Sequence, residues 1–335
     1  MGATLVTEKT NGPKLSKLTK VKRFLHSQMG WAFITPMLIL MAIFTFYPII
    51  SALVTAFMND YMGSNGSFNG IGFQNFWKII NNKTGVPADF GTCLINTLLF
   101  AFISVPSSII LALMISVGLN SIKKLQKLYQ TIYFLPYLTN SLAMGAVFAT
   151  FFSIIGTSSN IETYGLCNNF LMALGLKPLN WLNAYALGKG FNPWLGRIVV
   201  CLFEIWSGLP FKILLLFSAI QGVNKQYYDA AKVDGASKPT TLWRITVPLV
   251  SPTLSYLLIT GLMGGMKSYS SIIGIFGANM GPNNNYEMGT MVGYIYGCIG
   301  AGKTGYAAAG SLILFAIIMV FTVINLWVSK KKVHY

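Results

Sequence analysis

Apolar positions along the chain gather into six long stretches, and polar residues concentrate in the segments between them. The stretches run over Trp31–Phe57, Leu94–Gly118, Tyr129–Ile155, Ile198–Ile220, Leu249–Met266 (extended toward Phe276) and Tyr306–Val328. Each approaches or exceeds the roughly 20 residues of helix that cross a hydrocarbon layer. Five carry no charge across their apolar centres; the fourth holds Glu204 and Lys212. The pattern predicts an all-α integral membrane protein with six transmembrane helices. The first stretch is expected to be a span rather than a cleaved signal peptide, because it is too long for a signal-peptide apolar region and about thirty mostly polar residues precede it.

Composition sharpens this reading. Hydrophobic residues make up 54% of the 335 and charged residues 10%, whereas a soluble domain is about a quarter charged. The charges are placed unevenly. With the N-terminus inside, segments 1–30, 119–128, 221–248 and 329–335 hold sixteen Lys and Arg, and segments 58–93, 156–197 and 267–305 hold seven. Positive loops stay on the cytoplasmic side, so both termini are expected to be cytoplasmic. The organisation is then a basic arm (1–30), a six-span domain (31–328) containing the cytoplasmic loop 221–248, and a basic tail (329–335). The net charge of +16 is spread over four membrane-proximal segments rather than gathered beside stacking aromatics, which argues against nucleic acid. Lys14, Lys17, Lys20, Lys22 and Arg23 suit anionic membrane lipid instead. Cys93, Cys167, Cys201 and Cys298 show no paired spacing, and the two histidines lie near the ends. Neither a metal site nor a disulfide framework is expected.

The loop between the fourth and fifth stretches carries the most information. It reads Gln226-Tyr227-Tyr228-Asp229-Ala230-Ala231-Lys232-Val233-Asp234-Gly235-Ala236, then eight residues, then Ile245-Thr246-Val247-Pro248. Asp229-Ala230-Ala231 is expected to start a short helix with an acid in its first turn, where the helix dipole favours negative charge. The alanines offer a small, flat face, and Gly235 falls where the chain must turn, cheaply for glycine if φ is positive. Pro239 and Pro248 limit how the next helix begins. The run resembles the "EAA" loop of binding-protein-dependent ABC permeases, E-A-A-x-x-D-G-A, eight residues, I-x-L-P. Asp229 stands for the usual Glu and Val247 for the usual Leu.

Further pieces extend the resemblance toward the carbohydrate branch, in particular the maltose-system F-type subunit without its large periplasmic insertion. They are Pro36, Tyr47-Pro48 and Ala56-Phe57; Phe68 through Phe76; Asn96-Thr97-Leu98; Trp206 through Phe211; Gly281-Pro282; Met291 through Tyr296; and Gly305 through Ala309. The resemblance implies a type I ABC importer permease fold in a bacterial cytoplasmic membrane, with no catalytic residues of its own. It implies that Asp229, Ala230, Ala231, Asp234, Gly235 and Ala236 couple the chain to an ATPase. Its expected partners are a homologous second permease forming a heterodimer, two ATPase subunits, an extracellular solute-binding protein and a sugar or oligosaccharide. ATP and Mg would be bound by the ATPase: Gly300-Ala301-Gly302-Lys303-Thr304 ends in G-K-T but lacks the first glycine of a phosphate-binding loop.

The substrate path is expected where polar groups enter the membrane at a cost, about 2.5–3.5 kcal/mol for a charge at a helix centre on insertion scales. Glu204 and Lys212 meet that description. Alternatively, Glu204 pairs with Lys267 or Arg197, or Lys212 snorkels to an interface. Eight residues apart, the two charges are about 12 Å apart along a regular helix, so they meet directly only if the helix breaks at Gly208-Leu209-Pro210. Matched by distance from the coupling loop, the family's sugar contacts fall near Ser207, Gly208, Phe211, Gly265, Ser268 and Tyr269, where small residues leave room and aromatics suit a pyranose ring. Import of a non-sugar solute such as glycerol phosphate or a polyamine is an alternative. A secondary transporter is a remoter one, since no internal repeat is visible.

Overall fold

A computed structural model describes residues 29–31, 33–122, 126–157, 160–283 and 286–332; almost all of the basic arm and residues 333–335 lie outside them. Among the described residues, four helices are long and apolar enough to span a membrane: α1 (Phe33–Phe57), α3 (Phe90–Ser121), α7 (Pro193–Gln221) and α13 (Thr304–Lys332). Between α1 and α3 lies a short helix, α2 (Gln74–Ile80). Of the described residues, those up to Val54 form a unit of their own, which contains most of α1, and those from Thr55 onward form the second.

The third and fifth apolar stretches are not single helices. Helix α4 (Gln126–Phe134) runs into a tight turn, Leu135–Leu138, and α5 (Ser141–Phe152) leaves it after a bend of 100°. Pro136 lacks the N–H that a continuous helix needs, and the Asn140 side chain then accepts from the Leu142 N–H at 2.9 Å, capping a fresh helix. Likewise α9 (Lys238–Leu249) and α10 (Ser251–Gly265) meet at 69°, with Pro248 and Pro252 on either side of the break. Helix α8 (Lys225–Val233) precedes α9; α11 (Ser270–Phe276) and α12 (Met291–Gly300) follow α10. The extension toward Phe276 is therefore a separate short helix beyond a turn.

Between α5 and α7 the chain folds outside any helical span. Strands β1 (Ile154–Thr157) and β2 (Asn160–Tyr164) pair antiparallel, then come α6 (Leu166–Ala173) and the two-residue hairpin of β3 (Tyr185–Ala186) and β4 (Lys189–Gly190). Side-chain amides hold this segment together. Asn183 donates to the Ile154 carbonyl at 2.9 Å and accepts from its N–H at 3.2 Å; Asn168 bridges Leu179 and the Trp181 indole.

Helices α3 and α7 pack most extensively, joined by α10, α12 and α13 around Ala112, Leu216, Leu257 and Tyr294. Small and hydroxylated residues of α3 face inward: Ala101, Ser104, Ser108, Ala112 and Ser116 are all buried, and Ser116 donates to the Ile213 carbonyl at 3.0 Å. Such residues let backbones approach in lipid, where burial of apolar surface gives no driving force between helices. Pro106 and Pro210 lie inside α3 and α7 without breaking them. A second cluster, with Phe100, Phe152, Phe203 and Ile272, ties α5 and α11 to the bundle. There the backbones nearly touch: a Cβ on Gly145 would stand 2.9 Å from the Ser271 carbonyl oxygen.

Candidate functional site

The loop after α7 is a rigid bracket. Asn224 caps α8, accepting from the Gln226 N–H at 3.0 Å, so the helix begins at Lys225, four residues before Asp229. This corrects the expected start. Asp229 lies beyond the first turn, where the dipole no longer favours it, and instead faces exposed Lys232 at 3.6 Å, one turn along. The end of the helix matches expectation. Gly235 has φ +70°, its N–H donates to the Lys232 carbonyl at 3.1 Å, and the Ala236 N–H reaches the Ala231 carbonyl at 2.9 Å. This paired closure is the Schellman arrangement, which favours glycine at the left-handed position. The two alanines divide their roles: Ala231 is buried against the loop, whereas Ala230 is exposed, as are Asp229, Asp234 and Gly235; Ala236 is half-buried. Tyr228 approaches Thr246 within 3.3 Å, fastening α8 to the chain that leads into α10.

A cavity of about 170 Å³ lies among α3, α7 and α10, lined by Phe100, Ser104, Glu204, Ser207, Lys212 and Gly265, with Gly208 and Gly261 opening its walls. Five of the eight predicted path residues thus share one space. The two charges do not meet. Helix α7 is continuous through Pro210. The Glu204 carboxylate accepts hydrogen bonds from Ser268 and, at 2.5 Å, from Ser271. Ser268 therefore joins the site through Glu204. Lys212 is buried, and its Nζ donates to Ser108. Neither alternative expected for these charges is seen. Arg197 donates to Asn96 at 2.9 Å, Lys267 is exposed, and among the described residues Glu204 makes no ion pair.

Phe211 and Tyr269 are not among the cavity's lining residues. Phe211 stacks on Tyr137, ring centres 5.8 Å apart, and Tyr269 stacks on Tyr296 at 4.5 Å. A second cavity of about 200 Å³, lined by Tyr137, Thr139, Ser141, Trp206 and Ser207 among others, combines aromatic faces with hydroxyls beside the break in the third stretch. Sequence reasoning missed Ser104 and Ser108, although hydroxyls spaced four apart in an apolar stretch signal one inward face. Cys93, Cys201 and Cys298 are buried free thiols and Cys167 is half-buried. The G-K-T run is the turn between α12 and α13, where Lys303 donates to the Thr84 carbonyl at 2.6 Å and the Gly85 carbonyl at 3.1 Å.

The chain is similar to the arabinooligosaccharides transport system permease protein AraP of Bacillus subtilis, 29% identical over 89% of this chain and 88% of the relative. It is also similar to the multiple sugar-binding transport system permease protein MsmF of Streptococcus mutans, 28% identical over 93% and 98%. Its fold is like that of a chain in the crystal structure of a bacterial alginate ABC transporter in complex with an alginate pentasaccharide-bound periplasmic protein. There the TM-score is 0.74 at 23% identity, covering 93% of this chain and 98% of that one. Residues 93–334, from the first turn of α3 to the end of α13 and beyond, match the family model described as the inner membrane component of binding-protein-dependent transport systems. That span contains the bracket and both cavities, and the chain belongs to this family.

Proposed function

We propose that this chain is one permease subunit of an ATP-driven importer of a sugar or oligosaccharide, seated in a bacterial cytoplasmic membrane. Each bent pair would count as one span, making six, with both termini cytoplasmic. The observation that carries the reading is the bracket of α8. It is a short exposed helix closed at both ends and joined through Gly222, Val223 and Asn224 to α7, whose middle lines the charged cavity. A motor pressing on α8 would move Glu204 and Lys212. ATP and Mg belong to two separate ATPase subunits, and a solute-binding protein delivers the substrate from outside. The cavity supports pairing with a second permease: at about 170 Å³ it falls below the roughly 300–1,000 Å³ of small-molecule sites, as expected of half a pathway; the resemblance to the F-type subunit makes that partner a homologous, distinct chain. The names of the similar proteins support a saccharide. A charged solute such as glycerol phosphate is the second reading, drawn from Lys212, a buried cation that among the described residues is hydrogen-bonded to the Ser108 hydroxyl and makes no ion pair.

The test is uptake into proteoliposomes holding the full complex and loaded with ATP, across a panel of di- to pentasaccharides, glycerol phosphate and polyamines. Accumulation of a saccharide, only with ATP and binding protein, is expected. ATP-independent uptake, or uptake of non-sugars alone, would overturn the proposal. In the same assay Glu204→Gln and Lys212→Met should each lower uptake about tenfold or more with the complex still assembled, since hydrogen bonds to charged groups contribute about 1.5–3 kcal/mol. Unchanged uptake in both would place the path elsewhere.

A further inference from the structure

Helix α2 has two unlike faces. Asn75 and Ile79 are fully buried. Asn75 donates to the Ala56 and Met58 carbonyls at 2.9 and 2.7 Å and accepts from the Asp60 N–H at 2.9 Å. Lys78 is turned inward onto Asp60 at 2.7 Å. The opposite face is apolar: Phe73 is 74% exposed, Trp77 66% and Ile80 63%, with Ile71 beside them at 79%. Positions 73, 77 and 80 fall on one stripe of a helix, and with Lys78 turned away no charge interrupts it.

The neighbours fix the height of this stripe along the bundle. Phe73 meets Phe57, the last residue of α1, edge to face at 5.2 Å. Gly305, near the start of α13, donates to the Tyr61 carbonyl at 2.9 Å, and α2 packs against α13. One apolar helix ends and another begins at this level, which is where hydrocarbon gives way to headgroups. A tryptophan with large apolar neighbours and no charge is the chemistry of that boundary. Helix α13 continues downward with an exposed apolar flank of its own, Phe315, Met319 and Val323.

We propose that α2 is an interfacial anchor, with Ile71, Phe73, Trp77 and Ile80 resting on the headgroup–acyl boundary of the external leaflet. Asn75 and the Asp60–Lys78 pair hold it flat across the span ends. The assignment rests on α1 and α13 crossing the bilayer. It fixes where the external ends of both helices stop, so that the loop 58–70 stands clear of the lipid.

The experiment is spin-label accessibility. Single cysteines at positions 73, 77, 315 and 64 are introduced into the full chain carrying Cys167→Ser, labelled with a nitroxide, and reconstituted with the co-purifying subunits into phosphatidylcholine–phosphatidylglycerol vesicles. Labels at 73 and 77 should collide with oxygen in preference to a water-soluble nickel chelate, several-fold more so than at Ser64, and at shallower depth than Phe315. Nickel-dominated collisions at 73 and 77 would overturn the proposal in favour of solvent. Immobilised labels reached by neither collider would overturn it in favour of a covering protein. Position 315 separates the two readings: if it too fails to prefer oxygen, the spanning assignment of α13 is what has failed.

Discussion

Asp60 shows how much structure one side chain can organise. It sits at φ +54°, in the left-handed region that aspartate tolerates better than most residues. Its carboxylate takes Lys78 at 2.7 Å, the Tyr306 hydroxyl and Asn69 at 3.3 Å, joining the loop after α1 to α2 and α13. The Lys78 hydrogen bond, followed by that from Tyr306, holds the carboxyl below its ordinary range. The folded pKa is thus lower than the unfolded one, near 3.9. The stabilisation is complete above about pH 5 and is lost as the pH falls through the ordinary carboxylate range toward the folded value. Asp60→Asn preserves the backbone preference and removes the charge. It should cost about 1 kcal/mol at neutral pH and lower the melting temperature in nanodiscs by a few degrees, and the gap to the parent should close below about pH 4. A gap independent of pH would show that the charge contributes nothing. Nothing in the sequence singled out Asp60, because its partners lie 9, 18 and 246 residues away. Glu204 and Lys212 stood out because a charge inside an apolar stretch is anomalous by itself; of their serine partners, Ser268 was expected from its distance to the coupling loop, whereas Ser108 and Ser271 were not.

Elements were legible in proportion to how local their causes are. The closure of α8 depends on one residue and two backbone hydrogen bonds, so Gly235 could be placed from pattern alone. The start could not, because the capping role of Asn224 competes with a family pattern that begins at Asp229. Continuity of the spans failed for another reason. Averaged apolarity over some twenty residues is blind to direction, and the stretch through Phe134 to Asn140 still averages as one apolar span while turning the chain by 100°. Gly235 supplies a prediction that separates strain from crowding. A Cβ there would meet nothing within 4 Å of this chain, so any cost within the chain is that of positive φ, of order 1 kcal/mol or more for a β-branched residue. Gly235→Val should insert normally and lose ATP-driven uptake, with binding of the loaded solute-binding protein retained. Gly235→Asn, which tolerates the left-handed region, should keep most of the uptake. Equal loss in both variants would mean that a partner's surface, rather than the backbone, excludes the side chain. Normal uptake in both would remove this loop as the coupling element.

At the scale of the whole molecule, the two bends decide which side of the membrane the bracket faces. Four unbroken spans and six spans are both even numbers, so either arrangement places the two termini on the same side, and the side proposed for them, from the basic arm, is the inside. The arrangements differ in what lies between. With six spans, loop 221–248 is inside and the segment around Lys177 is outside; with four, the bent pairs return without crossing and these two segments exchange sides. Positive charge separates the cases only weakly: sixteen inside against seven outside for six spans, fourteen against eight for four. The weakness is physical, since each bent pair returns to water within a few residues of a basic group whichever way it goes. What favours six is the coupling role proposed for the bracket, which requires α8 to face the cytoplasm. Single cysteines at Asn283, Lys177 and Lys238, all exposed, resolve this in intact cells with a membrane-impermeant maleimide. Position 283 is external in both arrangements and reports that labelling works. Six spans require position 177 to react and position 238 to react only after the cells are opened. The reverse pattern would turn both bent pairs into re-entrant hairpins, leave α8 facing the solute-binding protein, and remove the basis for coupling to an ATPase through this loop.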